Sequence, residues 1–183
     1  MRMKKARLSE QRRSAVKRMV VYSLWFFFIA IAEASFFANL SVMPTSPRLI
    51  LPALAVIALL DNKRNTVIAA VIGGTLECAL SGSGIYLLPL FYLLSALLLC
   101  LVAKKMLPKY PSFLVLLPIT LVLTAIYDML SAMAFAPSFD LADAFISVIL
   151  PRTVETAIFA LPLFSLISLS ISPLIDRRTR ALR

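Results

Sequence analysis

Six long apolar runs determine which environments this chain can fold in. They carry almost no charge and cover residues 20–39, 49–60, 66–80, 85–103, 112–136 and 151–175. Apolar residues make up 61% of the chain, whereas an average soluble domain has about 45–50%. A helix needs about 20 apolar residues to cross a hydrocarbon core of ~30 Å. The sequence therefore predicts an all-α integral membrane protein, a bundle of six transmembrane helices.

The second and third runs are shorter than a full span, which leaves two interpretations of residues 49–80. In the first, they are two short, packed spans. In the second, they form a re-entrant hairpin whose tip, residues 61–65, stops at membrane depth. The tip carries the charges of Asp61, Lys63 and Arg64. Each ion costs about 2.5–3.5 kcal/mol at the membrane centre, so two short spans are favoured.

The basic residues lie on alternate sides of the predicted spans. The chain has 19 Lys and Arg, nine Asp and Glu, and a formal net charge of +10. All the basic residues except Arg48 and Arg152 precede residue 20, follow residue 175 or lie in the turns at 61–65 and 104–111. Positive loops stay in the cytoplasm. Both termini are therefore predicted to be cytoplasmic, in a multi-pass protein of the bacterial inner membrane.

The charge pattern also divides the chain into a basic N-terminal segment (1–19), a six-helix membrane domain (20–175) and a basic tail (176–183). We interpret the first apolar run as an uncleaved helix, because its ~20 residues exceed the 7–15 typical of a signal peptide. The N-terminal cations either act only as an orientation signal or also contact anionic membrane lipids. The positive charge reports topology, and no nucleic-acid partner is predicted.

The residue types available exclude much of enzyme chemistry. The chain has no histidine, and its two cysteines, Cys78 and Cys100, lie inside apolar runs. Histidine-based triads and zinc sites are excluded, and we interpret the cysteines as packing residues. No catalytic residue, metal site or cofactor is predicted, and the protein is expected not to be an enzyme. An intramembrane carboxyl dyad of Asp128 and Glu155 is the enzymatic alternative.

Charged residues in the outer half of the predicted spans are the candidates for a functional site. Glu33, for example, lies about 20 Å from the cytoplasmic end of the first span at 1.5 Å per residue. Intramembrane charges mark functional sites by default. We predict one connected polar cluster, open to the extracytoplasmic side; the alternative is a set of separately satisfied or protonated carboxyls that only aid packing. The candidates are Glu33, Arg48, Glu77, Asp128, Arg152 and Glu155.

Two further spacings predict helix surfaces. Thr120, Thr124 and Asp128 recur every four residues and should form a polar stripe that faces other helices. Small residues let helix backbones approach closely, so we predict helix packing within the chain, with a partner interface as the alternative. These small residues are Ala30, Ala34 and Ala38 in the first run, and Gly73 and Gly74 in the third, each preceded four residues earlier by alanine.

Several segments, taken in order, resemble the MreD family of rod-shape-determining inner-membrane proteins. The resemblance covers residues 24–178. It departs from the family pattern at Arg48, where aspartate is expected, at Glu77, where aspartate one position later is usual, and at Arg152, where glutamate would follow proline. The segments are Pro47-Arg48-Leu49-Ile50-Leu51-Pro52, Gly73-Gly74-Thr75-Leu76-Glu77, Ser81-Gly82-Ser83-Gly84-Ile85-Tyr86 and Leu150-Pro151-Arg152-Thr153-Val154-Glu155-Thr156-Ala157.

The resemblance implies a non-enzymatic scaffold of the elongation complex, which directs peptidoglycan synthesis and cell shape. Its implied partners are an MreC-like protein, MreB filaments, a RodA-type polymerase and its transpeptidase. The alternative is the substrate-binding S component of an energy-coupling-factor vitamin transporter, whose bundles are similar in size, helix number and topology. The face formed by Ala30, Ala34 and Ala38 resembles the docking motif of such subunits. A small-molecule ligand is expected only under this alternative, and short outer loops with few polar groups argue against it.

Overall fold

A computed structural model describes residues 2–37, 45–81, 88–106, 113–135 and 141–180. Side chains are described within 15–37, 45–80, 88–103, 113–133 and 142–171. Over these residues every secondary-structure element is a helix and no strand is present; residues 45–49 and 61–62 are not helical. Ala38 and residues 82–86 of the segment from Ser81 to Tyr86 lie outside the described residues.

Each of the six predicted runs corresponds to a helix. The first helix is continued by a π-helical turn, Ala32–Phe37, and the last is preceded by a short helix and a second π-helical turn, Phe145–Ile149. The α-helices are α1 (Arg2–Ile31), α2 (Ile50–Leu60), α3 (Lys63–Ser81), α4 (Leu88–Met106), α5 (Phe113–Phe135), α6 (Leu141–Ala144) and α7 (Leu150–Arg180).

Two helix boundaries lie outside the predicted apolar runs. Helix α1 begins at Arg2 and continues without a break through the basic residues before 20 into the first run. The segment 137–150 between the fifth and sixth predicted runs, which we expected to be a loop, is helical from Leu141 onward. Proline favours the first turn of a helix, so Pro151 indicated a start there. Instead, the π-helical turn before Pro151 carries the helical path into α7, as π-bulges do inside longer helices.

The surface of the bundle is apolar, as expected of a protein that lies in lipid. Three helical segments are long and apolar enough to cross a membrane: Ala15–Phe37, Phe113–Met133 and Ala142–Ile171. Leucine side chains on their outward faces are largely exposed, such as Leu114 at 65% and Leu169 at 73%. Soluble monomers rarely expose apolar surface on this scale. The distribution indicates a membrane protein.

Helix α2 forms the centre of the fold. Its first nine residues, from Ile50 to Ala58, are all buried, and it contacts α1, α3, α4, α5 and α7. A helix that is apolar on every side is stable only when surrounded. With 11 residues, it is about 16 Å long at 1.5 Å per residue. It therefore has two polar ends inside the bundle, called here the Arg48 end and the Asp61 end.

The glycines of α3 allow close helix contacts on two sides. A Cβ atom on Gly73 would lie 3.2 Å from Ile50 Cγ2 of α2, and one on Gly74 would lie 2.8 Å from Pro89 Cα of α4. Ala69 and Ala70, one turn earlier, are fully buried. These small residues let α3 pack against both helices, which is the use that their spacing predicts.

The predicted alanine face of the first helix is wrong in part. Ala30 is buried, but Ala34 is exposed. The π-helical turn Ala32–Phe37 separates the two alanines. A π turn holds more residues than an α turn, so Ala34 is rotated away from the packed position that Ala30 occupies, although both residues border the same cavity.

Candidate functional site

Arg48 lies at the Arg48 end of α2, directly before the helix, and contacts several other elements. Its Nε donates to Asp128 Oδ1 of α5 at 2.9 Å, and its Nη1 donates to the Glu77 carboxylate of α3. Its guanidinium carbon lies 4.3 Å from the centroid of the Tyr127 ring, a cation–π distance. Its backbone N–H donates to Thr156 Oγ1 of α7 at 3.0 Å. Arg48 therefore ties the entry of α2 to three surrounding helices.

Asp128 connects Arg48 to Arg152. Arg152 Nη1 donates to the same Asp128 Oδ1 at 2.8 Å, so one carboxylate oxygen bridges two guanidinium groups. The Asp128 side chain is 2% exposed. Taking ions out of water costs several kcal/mol each, and the two arginines offset that cost by direct pairing. This contact joins α5 and α7 to the site.

The side chain of Glu33 binds the N-terminal end of α2 from a neighbouring helix. Its carboxylate accepts the backbone N–H of Leu49, the N-cap residue of α2. The N-terminal N–H groups of a helix have no partner within that helix, and the dipole there favours negative charge. The π-helical turn Ala32–Phe37 places Glu33. An acid in the π-helical turn that continues α1 thereby caps the central helix.

Glu77 is the second carboxylate bound by Arg48. It also accepts a hydrogen bond from the hydroxyl of Tyr92, a fully buried residue of α4. Gly74, three residues earlier on α3, lets the Tyr92 ring approach closely, since a Cβ there would lie 3.1 Å from it. The absence of a side chain at Gly74 and the Glu77–Tyr92 hydrogen bond are therefore two parts of one contact between α3 and α4.

We name Arg48, Glu77, Asp128 and Arg152, together with Glu33 and Tyr92, the Arg48 cluster. Five of the six candidate residues lie in it. The sixth, Glu155, is buried but accepts a hydrogen bond from Thr45 Oγ1 at 3.3 Å instead. Spacing along the helix places Glu155 on the same face as Arg152, yet Arg152 pairs with Asp128. Only the position of α5 beside α7 determines that choice.

The predicted threonine stripe contributes burial but no further link to the Arg48 cluster. Thr120 and Thr124 are fully buried, so the stripe faces other helices as its spacing predicts. Their hydroxyls donate to carbonyls of their own helix, to Leu117 O at 2.7 Å and Thr120 O at 2.8 Å. Such bonds satisfy a hydroxyl within one helix. Asp128 alone brings the stripe into the ion-pair network.

A cavity of about 170 Å³ opens beside the Arg48 cluster. The side chains of Arg48 and Arg152 are 22% and 20% exposed, and the carboxylates they bind are nearly fully buried. Asp128 Oδ2 and Arg152 Nε have no hydrogen-bond partner in the described part of the chain. The charged side chains are therefore paired with one another, but two of their atoms still lack a hydrogen-bond partner. The cavity is lined by Ala30, Glu33, Ala34, Ser46, Pro47, Arg48, Glu77, Leu80 and Arg152.

A second polar cluster lies at the Asp61 end of α2, where the sequence indicated only a charged turn. Arg18 Nη1 of α1 donates to Asp61 Oδ1 at 2.8 Å, and the Tyr22 hydroxyl donates to Oδ2 at 2.6 Å. Asn65 Nδ2 donates to Oδ2 at 2.8 Å. The side chains of Arg18 and Asp61 are 6% and 2% exposed. We name these four residues the Arg18 cluster.

Two signals in the sequence point to the Arg18 cluster. Asp61 is the only acid in the two predicted inner turns, 61–65 and 104–111. Arg18 and Tyr22 are four residues apart, so they share a helix face at the start of the first span. An arginine and a tyrosine on one inward face require an acceptor, and Asp61 is the acid available at that level.

No protein-family model, curated protein or solved structure matches the chain.

Proposed function

We propose that this protein is a non-enzymatic scaffold of the bacterial elongation complex, similar to the MreD family, that docks an MreC-like partner. In this proposal the partner binds at the extracytoplasmic side, where the Arg48 cluster and its cavity lie. MreB filaments, a RodA-type polymerase and its transpeptidase join through that assembly to build the lateral cell wall.

The observation that carries the proposal is the convergence of the segments that resemble the family. Arg48 comes from the second-run segment and Glu77 from the third-run segment, and they form an ion pair. Arg152 and Thr156 come from the last segment; Thr156 accepts the Arg48 N–H, and Arg152 joins through Asp128. Segments far apart in sequence thus form one site. This supports the view that they form one functional unit and are not independent leucine-rich patterns.

The proposed topology has six spans with both termini in the cytoplasm. Its support is the alternation of basic residues along the chain. The Asp61 end of α2 then faces the cytoplasm, and the Arg48 end lies about 16 Å deeper. Because α2 is about half as long as the ~30 Å core, the non-helical residues 46–49 lie at membrane depth. Such backbone is tolerated where protein surrounds it or where it lines a polar cavity.

The composition of the site favours a surface that binds a partner over one that only holds the helices together. The outer half of the proposed bundle holds four acids, Glu33, Glu77, Asp128 and Glu155, against two arginines. A partner that presents donor groups would complete Asp128 Oδ2 and balance the acids. Complementary charge of this kind fixes partner choice and orientation more than it raises affinity.

The geometry does not favour the alternatives. The cavity of about 170 Å³ is smaller than the 300–1,000 Å³ of usual small-molecule sites, which argues against a vitamin-binding S component. For an intramembrane carboxyl dyad, two carboxyls must share a proton at close range. Asp128 instead bridges two arginines, and Glu155 bonds Thr45.

Two experiments test the proposal. Depletion of the protein in its rod-shaped host should produce rounded cells, and affinity purification from detergent should recover an MreC-like protein. Arg152→Gln should lower that recovery, because it removes one of the two cations beside the cavity. The matched control is Arg178→Gln, which removes a cation from the basic tail and should leave recovery unchanged.

Several outcomes would contradict the scaffold. Normal rods after depletion, together with purification without any MreC-like protein, would exclude it. A tightly bound vitamin and a pair of ATPases in the purified material would replace it with the transporter. Equal recovery with Arg152→Gln and Arg178→Gln would place the docking surface away from the Arg48 cluster.

A further inference from the structure

A long groove runs between α1 and α3, away from the Arg48 cluster. Its volume is about 1,110 Å³, which exceeds the usual range of about 300–1,000 Å³ for ligand pockets. Its walls are mostly apolar and open to the outside, as at Val16 and Val20, which are 62% and 53% exposed. The lining residues are Ala15, Val16, Met19, Val20, Ser23, Leu24, Phe27, Arg64, Asn65, Ile68, Ile72, Thr75 and Leu76.

The polar groups of the groove are satisfied by the protein everywhere except at one end. Ser23 Oγ donates to Met19 O at 2.9 Å, and Thr75 Oγ1 donates to Val71 O at 2.9 Å, so both hydroxyls are bound within their own helices. Asn65 Nδ2 is bound to Asp61. Arg64 is exposed and has neither a hydrogen bond nor an ion pair with the described residues. The groove is therefore apolar along its length and cationic at the Asp61 end.

The local charge at that end is positive. The acid nearest in sequence to Arg64, Asp61, is paired with Arg18, so it does not neutralise Arg64. Lys63, the neighbour of Arg64 in sequence, is also exposed. An arginine guanidinium binds phosphate oxygens through two parallel hydrogen bonds. At a membrane surface such an end favours a phosphate whose negative charge is not offset by a cationic headgroup, because a headgroup ammonium would repel the same cations.

The length of the groove distinguishes between possible occupants. On α1 it runs from Ala15 to Phe27, and on α3 from Arg64 to Leu76, which is about 18 Å on each helix at 1.5 Å per residue. Half of a ~30 Å hydrocarbon core is about 15 Å. The groove thus matches one leaflet. A transmembrane helix of a partner would need a surface that crosses both leaflets.

We infer that this groove binds an anionic phospholipid, with an acyl chain between α1 and α3 and its phosphate on Arg64. The inference rests on the proposed topology only for the leaflet concerned, which is the cytoplasmic one. It adds a lipid site to the protein that is independent of the docking surface at the Arg48 end. Bound lipid would fill the groove between α1 and α3, next to the Arg18 cluster.

Native mass spectrometry of the full-length protein in detergent tests this inference. The probes are phosphatidylglycerol and phosphatidylcholine with identical acyl chains, titrated separately. We expect about fivefold stronger retention of phosphatidylglycerol, since one arginine near the headgroup contributes on the order of 1 kcal/mol. Arg64→Gln should remove this preference. The matched control, Lys17→Gln, removes an exposed cation that does not line the groove and should preserve the preference.

A second pair of variants tests the apolar part. Thr75→Phe places a ring in the groove and should lower retention of both lipids. Ser165→Phe, the control, changes an exposed hydroxyl residue of α7 that likewise bonds its own helix and should leave retention unchanged. If Thr75→Phe alters the unfolding temperature, Val20→Trp fills the same groove from α1.

Three results would overturn the inference: equal retention of the two lipids, equal effects of Arg64→Gln and Lys17→Gln, or unchanged binding after the groove is filled. A photocrosslinker at Val20 that captures a protein segment in cells, and no lipid, would also overturn it. Detergent titration does not report sidedness or MreC-like binding. A failure here is therefore distinguishable from a failure of the proposed function.

Discussion

The two ends of α2 hold their charges in different ways. At the Asp61 end, one arginine and one aspartate are paired and nearly fully buried, and Tyr22 and Asn65 complete the carboxylate, while Arg18 Nε has no partner in the described part of the chain. At the Arg48 end, two arginines contact two carboxylates beside a cavity, and Asp128 Oδ2 and Arg152 Nε have no partner in the described part of the chain. We call the Arg18 cluster closed, because its ion pair is nearly fully buried, and it fixes the position of a helix turn. We call the Arg48 cluster open, because its arginines are partly exposed beside a cavity, where a partner can also bind.

The largest expected effect is the loss of Arg48. Arg48→Gln leaves two buried carboxylates without their shared cation, and breaking a buried ion pair costs about 3–5 kcal/mol. Arg18→Gln, which unpairs a single carboxylate, should cost less. Unfolding of both variants in the same detergent, followed by circular dichroism, measures the difference. A larger loss with Arg18→Gln would reverse the comparison between the two ends.

Replacing both members of an ion pair with apolar residues should affect the stability of the two clusters differently. Well-packed apolar residues often replace a closed buried ion pair at little cost, so Arg18→Met combined with Asp61→Leu should recover most of the stability that either single change loses. Arg48→Met combined with Glu77→Leu should recover less and remain ~2 kcal/mol below the wild type, because Asp128 still loses a partner. A double-mutant cycle at each end gives both values. Equal recovery at the two ends would show that the Arg48 cluster is also a closed structural pair.

Gly74→Ala should disturb the Arg48 cluster without removing a charge. The new Cβ would lie 2.8 Å from the backbone of Pro89, and overpacking of this kind costs about 1–3 kcal/mol. It should also weaken partner recovery, because Glu77 and Tyr92 lie at the same helix contact. Gly73→Ala is the control, since its Cβ meets the movable side chain of Ile50 at 3.2 Å. Similar losses of stability for the two variants would contradict this account.

The smallest stability effect is expected at Glu33. Glu33→Gln keeps an oxygen that accepts the Leu49 N–H, so the free energy of unfolding should change by less than about 1.5 kcal/mol, the net value of a typical hydrogen bond. It replaces a carboxyl group beside the cavity with an amide and should lower recovery of the MreC-like partner. Glu33→Ala, which also removes the acceptor, should destabilise more. A fully stable Glu33→Ala would show that Glu33 does not cap α2.

The charged residues show how far sequence reasoning reaches. The depth of each acid follows from counting residues along a helix, so placing Glu33, Glu77 and Asp128 at a common level requires no structure. Which acid meets which arginine depends on how helices rotate and pack. Helical spacing suggested Arg152 beside Glu155, but the structure pairs Arg152 with Asp128. The π-helical turn that exposes Ala34 and places Glu33 left no recognisable mark in the spacing of small residues.

The helical, apolar-surfaced character of the chain follows from its amino-acid sequence, because runs of uncharged residues must satisfy their backbone within helices in lipid. The sequence also shows which charged residues lie inside those runs, where burying an ion costs most. The central, buried position of the shortest apolar run, α2, depends instead on tertiary packing. Burial on every side results from contacts with five other helices, and the residues of α2 alone do not specify them. The same contacts determine that its two ends carry one closed and one open polar cluster.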